Sequence, residues 1–107
     1  MANVVNIATE YSKTLGGRWI RLGEYSGEDF YKKILEPKYL AADRSGEKLL
    51  IELDGTTGYP SSFLDQSFGE LARVYGVNKV RETIQFSAQV FAWVVDYINR
   101  EIWDKTN

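Results

Sequence analysis

The sequence predicts an α/β fold: one domain over residues 1–107, with a mixed sheet of about four strands flanked by helices and a long helix at the C-terminal end. Three observations predict it. Leu49, Leu50, Ile51 and Leu53 form a nearly unbroken apolar run, which suits a central strand covered on both faces. Asp54-Gly55-Thr56-Thr57-Gly58-Tyr59-Pro60 is a cluster of turn formers that ends this strand. Leu64, Phe68, Leu71, Ala72 and Tyr75 then recur at helical spacing, so a helix opens just past a strand's carboxyl end, where open α/β sheets place their function.

In chain order, Asn3 to Ile7 is a β-branched run that reads as the first strand. Glu10 to Leu15 reads as a short helix or loop, and Gly16-Gly17 turns the chain into Arg18 to Leu22. There Ile20 and Leu22 alternate with Trp19 and Arg21, as in a second strand near an edge. Ser26 with Asp29 forms a short capping box for a helix that buries Phe30, Ile34 and Leu35. Glu36-Pro37 interrupts that helix, because proline disfavours helical geometry in the residue before it. Ser62 with Asp65 caps the helix after the central strand, and Gly76 stops it. Val80 to Phe86 alternates and reads as a strand. Ser87 then starts a final helix to about Trp103, with Ala88, Phe91, Val95, Ile98 and Ile102 on its packing face.

Composition excludes several functions. Thirteen basic against 15 acidic residues give a formal net charge of -2, so nothing draws the chain to nucleic acid or an anionic membrane. No cysteine occurs, which removes thiolate nucleophiles, disulfides and zinc-thiolate sites, and no histidine occurs either. Met1 to Thr9 lacks the basic and apolar regions of a signal peptide, and no apolar run approaches the ~20 residues of a membrane span. A cytoplasmic location is expected, with no cofactor.

Asp54-Gly-Thr-Thr-Gly resembles a phosphate-cradling loop, yet no lysine follows at Walker-A spacing. Glu52, Asp54 and Asp65 could converge on a hard cation, but scattered carboxylates are usually solvated or capping, and no metal is expected. An enzyme would have to rely on a cluster such as Arg18, Tyr25, Ser26 and Glu28, with Glu28 as general base. A cap at Ser26 and an acidic first turn account for the same residues with less assumed.

An ordered set of motifs carries a family resemblance. It comprises Gly17-Arg18, Tyr25-Ser26-Gly27-Glu28-Asp29-Phe30, Leu35-Glu36-Pro37, Leu50-Ile51-Glu52-Leu53-Asp54-Gly55, Pro60-Ser61-Ser62-Phe63-Leu64-Asp65 and Phe68-Gly69-Glu70-Leu71. Together these resemble the bacterial STAS-like domains of unknown function, over most of the chain up to Phe86. The wider STAS class includes anti-sigma factor antagonists, which bind an ATP-hydrolysing kinase related to histidine kinases and are regulated at a serine opening the helix after the central strand. The resemblance implies a regulatory protein-interaction module with such a partner, and places the regulated serine at Ser61 or Ser62. Pro60 and Ser61 stand where the antagonists carry an aspartate.

The expected site is therefore non-enzymatic: Thr57, Ser61, Ser62 and Asp65 form a partner-binding surface open to phosphorylation. The alternatives are a small inhibitory binder, phage- or defence-related, acting by surface occlusion, and an uncharacterised small enzyme. A second surface is expected on the last helix, where Val90, Trp93, Val94 and Tyr97 lie beside the packing face and would pair two copies into a homodimer.

Overall fold

A computed structural model of the protein describes residues 3–106. Its sheet has three strands, β1 (Asn3–Asn6), β2 (Leu49–Glu52) and β3 (Ile84–Ser87), all parallel in the order β1-β2-β3. Val5, Ile51 and Phe86 stand in register, as do Val4, Leu50 and Gln85. The central position of β2 is as its apolar run predicts. Cover on both faces is not. The strand order advances without reversal, so right-handed crossovers carry both connections over the same face. Val5, Leu49, Ile51 and Ile84 are accordingly buried, while on the opposite face Val4, Leu50 and Glu52 are half-buried and Gln85 is exposed.

The helical layer holds α1 (Ile7–Glu10), α2 (residues 27–45), α3 (residues 61–75), α4 (Val77–Thr83) and α5 (residues 92–103). Phe30, Leu35 and Tyr39 of α2, Phe63, Phe68 and Leu71 of α3, and Val94 and Ile98 of α5 join the inner sheet face in one core. Aromatic contacts knit it together. Phe30 meets Phe63 at 5.5 Å between ring centroids, Phe68 meets Phe86 at 5.4 Å, and Phe86 meets Trp103 at 5.7 Å.

Several expectations are corrected. Arg18 to Leu22 is not a fourth strand; its end is a 3₁₀ turn at Ile20–Leu22. The backbone of residues 16–18 is engaged elsewhere: Gly16 N–H donates to Tyr25, and the Gly17 and Arg18 carbonyls accept from Gly27 and Glu28. Helix α2 runs through Pro37, because a π-helical stretch at Tyr31–Leu35 precedes it and widens the turn against which the ring would press. Val77–Thr83 is helix and only Ile84–Ser87 is strand, since Val80 and Ile84, four residues apart, satisfy both the helical and the strand period.

The last helix begins at Ala92 instead of near Ser87, and so is shorter than expected. Ser87 belongs to β3, where its carbonyl accepts from Leu53 N–H. Just beyond, the Asp54 carboxylate takes the backbone N–H groups of Gln89 and Phe91, at 2.7 and 3.1 Å, and holds residues 88–91 as a turn.

Candidate functional site

All three strands run toward the same end, where the segments 7–26, 53–60 and 88–91 meet. Gly55, with φ of 109°, packs so closely on Ala8 that a Cβ there would stand 2.9 Å from the alanine methyl. Thr57 N–H donates to the Lys13 carbonyl at 2.8 Å. Tyr59 is buried, donates to the Leu53 carbonyl at 2.6 Å, and stacks edge-on against Phe91 at 5.0 Å. Burial, with the nearby Asp54 carboxylate adding to it, pushes the Tyr59 phenol up to about 12. That phenol is a structural donor at neutral pH.

Helix α3 opens from this platform at Ser61, with Pro60 in the capping position. A proline side chain accepts no hydrogen bond, so the expected cap at Ser62 is corrected: Ser62 lies inside the first turn, and neither serine hydroxyl takes a backbone N–H. Among the described residues, the N–H groups of Ser61, Ser62 and Phe63 have no acceptor. Ser61 is exposed. Ser62 is half-buried, its Oγ 3.8 Å from where a Cβ on Gly17 would stand.

Asp65 lies one turn further on and is a structural partner, with its carboxylate shared by Arg18 and Arg73. Burial raises its pKa, but hydrogen bonds from the two arginines outweigh that and hold it below the ordinary aspartate range. The structure thus brings Thr57, Ser61 and Ser62 to one end of the molecule, with Asp65 one turn further along α3 and ion-paired to Arg18 and Arg73. Glu52, Asp54 and Asp65 do not converge: Asp54 faces the 88–91 turn, and Glu52 accepts from Asn6. Glu28 is likewise engaged, since the Ile20 N–H and then Lys32 hold its carboxyl below the usual range.

The second predicted patch divides. Val90 and Trp93 are exposed, at 74% and 53%, whereas Val94 is fully buried and Tyr97 half-buried. Because the helix starts at Ala92, Val90 belongs to the preceding turn, and the exposed apolar residues gather at the carboxyl end of the sheet instead of along a helix face. Sequence reading missed Asp54 as the clamp of this turn and Tyr59 as its support. The spacing of Asp54 from Gln89 carries no local signal.

One family model matches the chain. The family model described as STAS-like domain of unknown function (DUF4325) matches residues 26–88, from the cap of α2 to the end of β3. The chain belongs to this family. Neither a curated protein nor a solved structure matches it. In this STAS-like domain the matched segment holds both long crossover helices, both starts at the carboxyl end, and the loop that carries Thr57. No helix among the described residues is long and apolar enough to cross a membrane.

Proposed function

We propose that this STAS-like domain is a non-enzymatic regulatory interaction module whose protein partner docks on the carboxyl end of the sheet, over Thr57, Ser61 and Ser62. The observation that supports this most is the open start of α3: three N–H groups without an internal acceptor, beside an exposed serine. Free N–H groups and the positive end of the helix dipole favour an anionic group there. A phosphate on Ser61 would be accommodated without rearranging the core, because that side chain is already in solvent. Ser62, half-buried, is the poorer acceptor. The strand order also has no reversal, and so no crevice of the kind that binds small molecules between diverging crossovers.

The partner proposed from the resemblance is a histidine-kinase-like ATPase. Incubating the protein with such an ATPase and ATP, followed by mass spectrometry, should place one phosphate on Ser61, and Ser61→Asp should alter affinity for the ATPase while Ser61→Ala does not. No phosphorylation, with wild-type affinity in Ser61→Asp, would discard the switch.

A further inference from the structure

Six large hydrophobic side chains stand exposed among the described residues: Ile20, Leu22, Tyr25, Val74, Val90 and Trp93. Scattered singly they would need no explanation. They are not scattered. Five belong to the carboxyl-end loops or the first turn after them, and only Val74 lies at the far end of α3.

The five form two knuckles, one after β1 and one after β3, and the strand order puts the start of α3, which follows the central strand, between them. The first is the 19–25 loop, with Leu22 at 72% exposure. Its turn is anchored where Ile20 N–H meets Glu28, and Tyr25 is held at φ of 54°, a conformation unfavourable for any residue with a bulky side chain. Tyr25 keeps it because its carbonyl accepts from Gly16 and its ring packs edge-on against Tyr11 at 5.7 Å. The second knuckle is Val90 and Trp93, tied down by Asp54 and by Phe91, whose ring lies between Tyr59 and Trp93. Arg18, next to the first knuckle, pairs with Asp65 of α3, and Tyr59, stacked on Phe91 of the second, leads directly into Pro60 and Ser61. Apolar anchors already fixed in place lose little freedom on binding.

Charge selects among occupants. Lys13, whose carbonyl holds Thr57, and Arg21, in the first knuckle, are exposed and have no ion-pair partner among the described residues. Acidic groups also stand near Arg21: Glu24 in the same loop, Glu28, whose carboxyl Arg21 helps to hold low, and Asp29, which Lys33 pairs. The open start of α3 adds positive potential between the knuckles. A second copy meeting only Val90 and Trp93 would cover far less than the roughly 800 Å² per partner of a standard interface. A segment crossing both knuckles covers the ground between them as well.

We infer that the occupant of this end is a protein segment that lays apolar side chains on both knuckles and an acidic side chain between them, facing Lys13, Arg21 and the start of α3. The inference rests on the proposed reading of the carboxyl end as a docking surface, and names the chemistry that fills it.

The probe is a short synthetic peptide of leucines alternating with aspartate and glutamate, titrated into ¹⁵N-labelled protein, with a lysine and arginine counterpart as control. The acidic peptide should shift the amide signals of residues 20–25, 61–63 and 89–93, and added salt should weaken it. Leu22→Ser and Trp93→Ser should each raise Kd roughly tenfold, as expected for interface anchors. Val74→Ser should leave Kd unchanged, and circular dichroism should show all three variants folded. Equal binding of the basic peptide, shifts confined to other surfaces, or no shifts at all would overturn the inference. A concentration-dependent dimer lost in Trp93→Ser would also overturn it, and assign the surface to a second copy. Phosphate transfer from the ATPase separates the serine switch from the two-knuckle surface. If Ser61 takes no phosphate while the knuckle variants lower peptide affinity, the switch fails and the surface stands; if it takes one while the knuckle variants bind like wild type, the surface fails and the switch stands.

Discussion

The starts of α2 and α3 lie side by side at the carboxyl end of the sheet and differ in how their backbone is satisfied. At α2 every early N–H has an acceptor: Gly27 bonds to the Gly17 carbonyl, Glu28 to the Arg18 carbonyl, and Asp29 to the Ser26 hydroxyl at 3.0 Å. At α3, behind Pro60, none of the first three does. A serine near each start is therefore no guide to role. Ser26 is buried and closes its helix from within, whereas Ser61 is exposed beside N–H groups that have no internal acceptor among the described residues. Arg18 links the two, since its carbonyl caps α2 while its guanidinium holds Asp65 in α3.

The largest effect is expected where the two starts touch. A Cβ on Gly27 would stand 2.5 Å from the Phe63 carbonyl oxygen, and that atom is backbone, so the helices themselves would have to part. Gly27→Ala should cost about 2–3 kcal/mol in urea denaturation. Gly58→Ala, where nothing lies within 4 Å, should stay within about 0.5 kcal/mol of wild type. Equal costs at the two positions would show that the starts are not packed as described.

A smaller effect separates the serines. Ser26→Ala removes a cap and should cost about 1 kcal/mol, while Ser62→Ala removes none and should change stability by less than about 0.5 kcal/mol in the same measurement. A loss at Ser62 matching that at Ser26 would restore the capping role that sequence spacing suggests.

The smallest effect is the pH dependence of the Arg18 link. Asp65 has a folded pKa below its unfolded value, which is about 4. Its contribution is thus fully present above that unfolded value and is lost as pH falls through the lower folded one. The side chain is a third exposed, so solvent screens the pair and only a modest change is expected. Melting temperatures should fall less between neutral and acid pH in Asp65→Asn than in wild type; parallel curves would remove the link between the two starts.

Legibility in the sequence followed the range of the interactions. The cap at Ser26, the apolar run of β2 and the apolar stripe of α3 were readable because each is settled by residues within a few positions. The Ser62 cap was misread for a local reason too, since Pro60 and two serines leave the first helical residue ambiguous by one position, and a cap depends on that position. The fourth strand was misread for a non-local reason. Alternation in Arg18 to Leu22 is genuine, but a strand also needs a neighbour, and here the adjoining residues 16–18 bond to the start of α2 instead.

The sequence by itself determined the α/β class, the place of β2 at the centre, the family resemblance and the absence of thiol and imidazole chemistry, because composition and short-range periodicity suffice for these. Only the tertiary structure decided that the sheet has three parallel strands with a single face covered, that Asp54 holds a turn 35 residues away, and that Val94 turns inward while Val90 and Trp93 join the end that carries Ser61. Each of those depends on pairing between residues far apart in the chain, which local propensity does not encode and which the crossovers and packing of the whole domain select.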